Sequence, residues 1–255
     1  MLYFISLGLT KEQITLEAIN ALKNSDKIYL EAYTSNYADN SLNILEKELN
    51  KKFIKIYRED SEQNFYKLID EAKTKNIAFC VFGNITSATT HNSIINECIT
   101  KNIKYKLIPG ISIFTIAHML SKLEEYRFGR TISIVKPEEN YYPKSFFNAI
   151  LENKKIGLHT LCLLDIKIDS KKEYYMQPYE AAELLLIIAK ENNLNYNDEK
   201  VIVISGASSE NEKVYLTTLK AVSKNKTNYN YPSCLILFGK LTEYEKESIN
   251  DLELI

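Results

Sequence analysis

The chain has 255 residues, 45% of them hydrophobic and 25% charged, with a formal net charge of −1 at neutral pH. That balance excludes a largely disordered chain and a protein whose main task is gripping nucleic acid, which requires a clear basic excess. The cysteines, Cys80, Cys98, Cys162 and Cys234, form neither a CxxC pair nor a Cys/His cluster, so no metal site is expected and they read as small buried apolar side chains in a reducing compartment.

The chain opens with MLYFISLGLT, which lacks a basic leading region and is too short in its apolar stretch for a signal peptide. It reads as a buried strand ending at Gly8. Helical spacing appears next in ITLEAINALKNS (14–25), SLNILEKELNK (41–51) and FYKLIDEAKTK (65–75). The apolar run AFCVF ends at Gly83, a helix is expected over THNSIINECITK (90–101), and YKLIPG makes a further buried strand ending at Gly110. ISIFTIAHMLSKL (111–123) is again helical. Strands alternating with helices predict an α/β fold with a mainly parallel sheet and helices on both faces.

The second half is richer in strands: RTISIV (130–135), LHTLCLLDIKI (158–168), VIVISG (201–206), KVYLTTL (213–219) and CLILFG (234–239). Helices are expected at SFFNAILENKK (145–155), QPYEAAELLLIIAKENN (177–193) and near 242–251, with surface loops at 136–143 and 168–177. This pattern predicts a second α/β domain with a mixed sheet, and a junction near Pro109–Gly110 divides the chain into domains 1–109 and 110–255. The longest apolar-rich segment, AAELLLIIA (181–189), is interrupted by Glu183 and falls short of the ~20 residues needed to span a bilayer. No membrane association and a cytoplasmic location are expected.

Glycine is scarce, with seven in the chain, and five of them end an apolar run. In open α/β sheets ligands bind beyond the carboxyl ends of the strands. FGNITSATTH (82–91) lies at such an end: Gly83, one amide, and the small hydroxyls Thr86, Ser87, Thr89 and Thr90 before His91. A loop that cradles a ligand has this composition. So does a glycine-terminated strand leading into a capped helix. His118 falls in a helical run and reads as structural, and His159 opens a strand. GxSxG, Walker A and GxGxxG patterns are absent from the sequence. An enzyme that works by orienting two substrates fits, and so does a binding module. From the residues alone both stay open.

Several segments resemble the diphthine synthase family, within the tetrapyrrole-methylase-like superfamily: MLYFISLGL, DKIYLEAYTS (26–35), FGNITSATTH, IPGISIFTIA (108–117), YRFGRTISI (126–134) and GLHTLCLLDIK (157–167). The resemblance runs nearly end to end. It implies two α/β domains with a cofactor in the cleft between them, assembled as a homodimer. It also implies methyl transfer from S-adenosyl-L-methionine, leaving S-adenosyl-L-homocysteine, to a histidine of translation elongation factor 2 that already carries a 3-amino-3-carboxypropyl group. Cofactor contacts carry over to Leu9, Asn84, Ser87, Ser112, Ile113, Leu163, Ser205 and Ser233. No catalytic residue and no direct nucleic-acid contact are implied. Asn84 stands where the family usually has Asp, and Ile85 where it usually has Pro. Around Ser205 the stretch ISGASS replaces one closer to ARxGS, and a histidine common near 233 is missing. Two other readings accompany this one: a non-enzymatic or degenerate binding protein of the same fold, and a tetrapyrrole-type small-molecule methylase. The Tyr-rich loop EENYYP (138–143) is a candidate docking surface for the protein substrate, with an ordinary exposed loop as the alternative.

Overall fold

The computed structural model describes residues 1–58, 61–89, 91–226 and 229–254, with backbone alone at 61–63 and 253–254. Thr90, one of the loop hydroxyls, lies outside the described residues. The chain forms two compact units, Met1–Ile113 with Ile166–Tyr174, and Phe114–Asp165 with Tyr175–Ile255.

In the first unit, strands and helices alternate: β1 (Leu2–Ser6), α1 (Leu16–Lys23), β2 (Lys27–Glu31), α2 (Ser41–Leu49), β3 (Phe53–Ile56), α3 (Ser61–Glu71), β4 (Ile77–Val81), α4 (Asn92–Thr100) and β5 (Tyr105–Ile108); the next helix, α5 (Ile113–Ser121), belongs to the second unit from Phe114 on. The strands lie in the order β3-β2-β4-β1-β5, and every pairing is parallel. Successive strand residues point to opposite faces, and here both faces are covered. Leu2, Phe4, Tyr29, Ile77, Phe79 and Val81 pack against Leu68 and Ile69 of α3 and Ile94 and Cys98 of α4. The residues between them, Ile5, Ile28, Leu30, Ala78 and Cys80, pack against Ala18 and Leu22 of α1 and Leu45 of α2. That is why these strands read as unbroken apolar runs rather than alternating ones. Phe79 sets its ring edgewise to Phe4 at 6.1 Å and Phe65 at 5.4 Å, a favoured aromatic geometry.

The second unit is built on a mixed sheet. Its elements are β6 (Ile132–Ile134), α6 (Ser145–Lys155) and β7 (Thr160–Leu164), then, after β8 (Ile166–Ile168) and β9 (Glu173–Tyr175), whose residues through Tyr174 group with the first unit, α7 (Pro178–Glu191), β10 (Lys200–Ser205), β11 (Lys213–Thr218), α8 (Leu219–Lys224), β12 (Ser233–Leu237), α9 (Glu243–Ser248) and β13 (Glu253–Leu254). The sheet order is β13-β11-β10-β12-β7-β6, antiparallel from β11 to β7 and parallel at both margins. Helix α7 starts where Pro178 fixes the first turn and a capping box links Gln177 and Glu180.

Four details differ from the sequence expectations. LHTLCLLDIKI is two strands, β7 and β8, separated at Asp165, whose carbonyl accepts from the Met176 amide at 2.9 Å and whose carboxylate accepts from the Lys136 amide at 3.0 Å. The expected loop 168–177 contains β9, which pairs with β8. The helical reading of QPYEAAELLLIIAKENN stops at Glu191 because Asn192 leaves helical geometry as a C-cap. Strand β3 and helix α8 are not evident in the sequence; β3 is too short, and too polar in its middle (Lys55), to show a clear pattern.

Candidate functional site

The carboxyl ends of β1, β4 and β5 meet at their glycines. Gly8 and Gly83 form a two-way backbone bridge: the Gly83 amide donates to the Gly8 carbonyl at 2.7 Å and the Gly8 amide to the Gly83 carbonyl at 3.2 Å. Gly83 has φ +73°, the left-handed region that glycine enters without strain. A β-carbon there would meet Leu9 Cδ2 at an ordinary 3.8 Å, so the need is for backbone freedom rather than space. Gly110 is the opposite case. Its backbone lies so close to β1 that a β-carbon would sit 2.7 Å from Ser6 Cβ and from the Ser6 carbonyl oxygen.

Asn84 organises the loop after β4. Its Oδ1 accepts from the Thr86 amide and hydroxyl, both at 3.0 Å, and from the Ser87 hydroxyl at 3.4 Å. Its Nδ2 donates to the Gly110 carbonyl at 3.2 Å and so ties this loop to the one after β5. An aspartate in this geometry has no hydrogen to give Gly110. The Asn84 amide therefore acts here as a cross-link between loops. Ile85 uses an amide that a proline would lack: it donates to Ser6 Oγ at 3.0 Å. The hydroxyls of Thr86, Ser87 and Thr89 are all engaged within the loop.

Ser112 differs. It is buried, immediately precedes α5, and its hydroxyl takes part in no hydrogen bond among the described residues. A hydroxyl without a protein partner beside the first-turn amides of a helix can receive a polar ligand group. The structure thus brings Leu9, Asn84, Ser87 and Ser112 to one edge of the first sheet, with Ile113 opening the helix beside them.

Beneath the loop, the EAYTS and ATTH segments meet. Glu31, at the end of β2, is 1% exposed and accepts from the amides of Tyr33 at 2.9 Å and Thr34 at 2.8 Å and from the Thr34 hydroxyl at 2.6 Å. His91 Nε2 lies 3.4 Å from Glu31 Oε2, and its Nδ1 lies 3.1 Å from the Ile85 carbonyl. Burial pushes the Glu31 carboxyl up, but the bonds from His91, Thr34 and Tyr33 outweigh it and hold the group below its ordinary value. Sequence reading missed Ser6, Glu31 and the pairing of His91. The available signal was a charged residue closing an otherwise apolar strand, KIYLE.

In the second unit, Leu163 pairs with Cys234 across β7 and β12, and Ser205 pairs directly with Ser233 across β10 and β12. Both serine hydroxyls donate to the Asn230 carbonyl, at 2.9 and 2.6 Å, so they hold the 229–232 turn and keep only acceptor capacity for anything else. The next residue, Tyr231, stacks on Tyr175 with centroids 4.0 Å apart. The YRFG and GLHT segments meet at His159. The Gly239 amide donates to its Nδ1 at 3.0 Å, which fixes the proton on Nε2, and Nε2 donates to Glu245 at 3.0 Å. Burial pushes the His159 ring down from its ordinary value, and Glu245 only partly offsets this. Burial pushes Glu245 up, but its bonds to the Thr242 amide, His159 and the Glu124 amide carry it below the ordinary carboxyl value. His159 and His118, the latter packed on Phe128 at 4.1 Å, are structural. The EENYYP loop holds a Glu138–Tyr141 bridge, with Tyr141 and Tyr142 exposed.

Among the described residues no helix is long and apolar enough to cross a membrane, and no group of three or more His, Cys, Asp or Glu side chains is placed to hold a metal ion.

The family profile described as Tetrapyrrole (Corrin/Porphyrin) Methylases matches residues 1–223. A diphthine synthase of Methanocaldococcus jannaschii is 39% identical over 223 residues, 86% of each chain. One from Methanosphaera stadtmanae is 40% identical over 210 residues, 82% of this chain and 79% of the relative. Among solved structures, a candidate diphthine synthase from Entamoeba histolytica matches with a TM-score of 0.88 at 30% identity, covering 99% of this chain and 98% of the other. With that likeness covering most of its length, the chain belongs to the tetrapyrrole methylase family, among its diphthine synthases, and is a methyltransferase.

Proposed function

We propose that this chain uses S-adenosyl-L-methionine to methylate the 3-amino-3-carboxypropyl-histidine of translation elongation factor 2, the diphthine synthase reaction. The observation that carries the reading is the identity of about two residues in five to proteins named diphthine synthase over most of both chains. In this reading Leu9, Asn84, Ser87, Ser112 and Ile113 receive the methyl donor, and Leu163, Ser205 and Ser233 are further donor contacts on the strength of the resemblance. The free Ser112 hydroxyl and the packed Gly8–Gly83 edge support the first group. The engaged hydroxyls of Ser205 and Ser233 limit the last two to acceptor or backbone contacts. The protein works as a homodimer in the cytoplasm.

The donor supplies a methyl group already activated by a positive sulfur, so the chain need not provide a nucleophile. The acceptor amine's lone pair forms the new N–C bond in line with the breaking S–C bond, whose electrons remain on sulfur. Holding the two in line contributes up to ~7–11 kcal/mol without any acid–base residue. What this chain's residues do is orient: the Asn84–Gly110 cross-link and the Ser6–Ile85 bond fix the loop. The test is incubation with methyl-labelled S-adenosyl-L-methionine and elongation factor 2 carrying the unmethylated side chain. Label on that histidine is the expected result, and mass spectrometry counts the methyl groups. Absence of label, with no heat of binding at millimolar donor, would instead favour a binding protein that kept the fold.

A further inference from the structure

Ile85 is pinned on both sides of its backbone. Its amide donates to Ser6 Oγ of β1, and its carbonyl accepts from Thr89 Oγ1 at 3.0 Å and from His91 Nδ1 at 3.1 Å. A carbonyl oxygen has no hydrogen to give, so Nδ1 is the donor in that contact. The ring that holds this carbonyl is itself held. His91 is buried, its Nε2 lies 3.4 Å from Glu31 Oε2, and the rings of Phe79 and Phe65 stand edgewise to it at 5.2 and 6.5 Å. Glu31 is fixed in turn. One of its oxygens accepts from the amides of Tyr33 and Thr34, the other from the Thr34 hydroxyl. A continuous line of contacts thus runs from the chain just after β2, through Glu31 and His91, to the backbone of the loop after β4.

The methyl-transfer mechanism uses neither side chain. Burying a carboxyl and an imidazole costs free energy that an apolar pair of the same size would not incur, and removing one partner leaves the other stranded. Their geometry suggests what offsets that cost. Asn84 and Ser87, assigned to the donor, flank Ile85, and their own bonds run only within this loop and to the Gly110 carbonyl. Ser6 and the Glu31–His91 pair tie the loop to the strands β1 and β2. A support of this kind, locked by packing and hydrogen bonds, holds a site to the tolerance that orientation requires. We propose that His91, braced by Glu31, is a positioning residue for methyl transfer: by holding the Ile85 carbonyl it sets where Asn84 and Ser87 meet the donor. The proposal rests on the methyl-transfer reading and adds no group to the reacting atoms.

The two ring nitrogens can be tested separately. The side-chain amide nitrogen of asparagine sits near the place of Nδ1, so His91→Asn keeps a donor for Ile85 and gives up Glu31. The longer glutamine puts its amide nitrogen near the place of Nε2, so His91→Gln keeps Glu31 and gives up Ile85. Calorimetry on the whole chain measures Kd for S-adenosyl-L-homocysteine in the parent and both variants, well below each Tm, with Tm recorded in parallel. Tyr29→Phe is the control. It removes a 3.1 Å bond to Glu71, which also holds Lys27 at the opposite end of β2 from Glu31, so it lowers Tm without touching the loop. Donor affinity is expected to be about 10-fold or more weaker in His91→Gln than in His91→Asn, with Tyr29→Phe at the parent value. Equal affinity in the two His91 variants, or an affinity that follows Tm across all three, overturns the proposal and leaves the pair as a stabilising contact alone. Should either His91 variant fail to fold, Glu31→Gln carries the test: it keeps the size of the pair and replaces a charged acceptor by a neutral one. Its affinity should then fall about 2–5-fold, and a parent-like value overturns the proposal. A parent that binds no S-adenosyl-L-homocysteine at millimolar concentration overturns the methyl-transfer reading and the proposal with it.

Discussion

Asn84→Asp is a test of the cross-link between the loops after β4 and β5. Oδ1 would keep its bonds to Thr86 and Ser87, strengthened by charge. The atom now donating to the Gly110 carbonyl at 3.2 Å would become an oxygen facing an oxygen. One hydrogen bond is lost and a part-buried carbonyl is left unpaired, a cost of about 1–3 kcal/mol. For a chain of this size that is a fall of roughly 2–12 °C in Tm. Differential scanning calorimetry of both proteins at about pH 7.5 measures this. Donor titration by calorimetry is expected to survive with altered strength. A variant as stable as the parent would refute the cross-link; complete loss of donor binding in a folded variant would refute the placement of the site.

Gly83→Ala and Gly110→Ala separate the two demands made of glycine at this edge. The first has room and is strained only by its φ of +73°, about 1–2 kcal/mol. The second drives a β-carbon into Ser6 and should cost more, ~1–3 kcal/mol and upward, in urea melts, with donor affinity falling along with it. Acid should destabilise the protein early: Glu31 and Glu245 have lowered folded values, so their contribution is present above the ordinary carboxyl range and lost as pH falls through the folded value. His118 and His159 are lowered too, so their neutral forms begin to cost stability as pH drops below ~6.5, and the pH profile of Tm should start to fall there. Replacing His159 with glutamine should flatten the start of that fall. Burial holds the thiols of Cys80, Cys98, Cys162 and Cys234 up, so Ellman's reagent should find no rapidly reacting thiol in the native protein and four after unfolding.

The parallel sheet was legible because a strand covered on both faces must be apolar throughout: IAFCV of β4 is buried at every position. The glycines were legible as punctuation, but not the difference between Gly83, which needs a backbone angle, and Gly110, which needs space. Strand β3 escaped notice because it lies at the margin of the sheet, with Ile54 and Lys55 exposed. The break at Asp165 was hidden because β7 and β8 are both apolar, and the end of pairing is set by partners distant in sequence, Lys136 and Met176. At the candidate site, composition revealed a small polar loop but not its wiring. Thr86, Ser87 and Thr89 look like ligand contacts in the sequence, yet each hydroxyl is bonded within its own loop. Ser112 looked no different and is free. Sequence shows which groups are present, and only tertiary structure shows which of them remain uncommitted.

The β8–β9 excursion has a consequence for synthesis. Residues 166–174 belong with the first unit, while the segments on either side belong with the second. Neither unit is a continuous stretch, so no single cut yields two whole pieces. A ribosome must deliver the chain through Tyr174 before the amino-terminal unit can close, by which time the opening strands β6 and β7 of the other sheet have already emerged and wait, half-partnered, for β12.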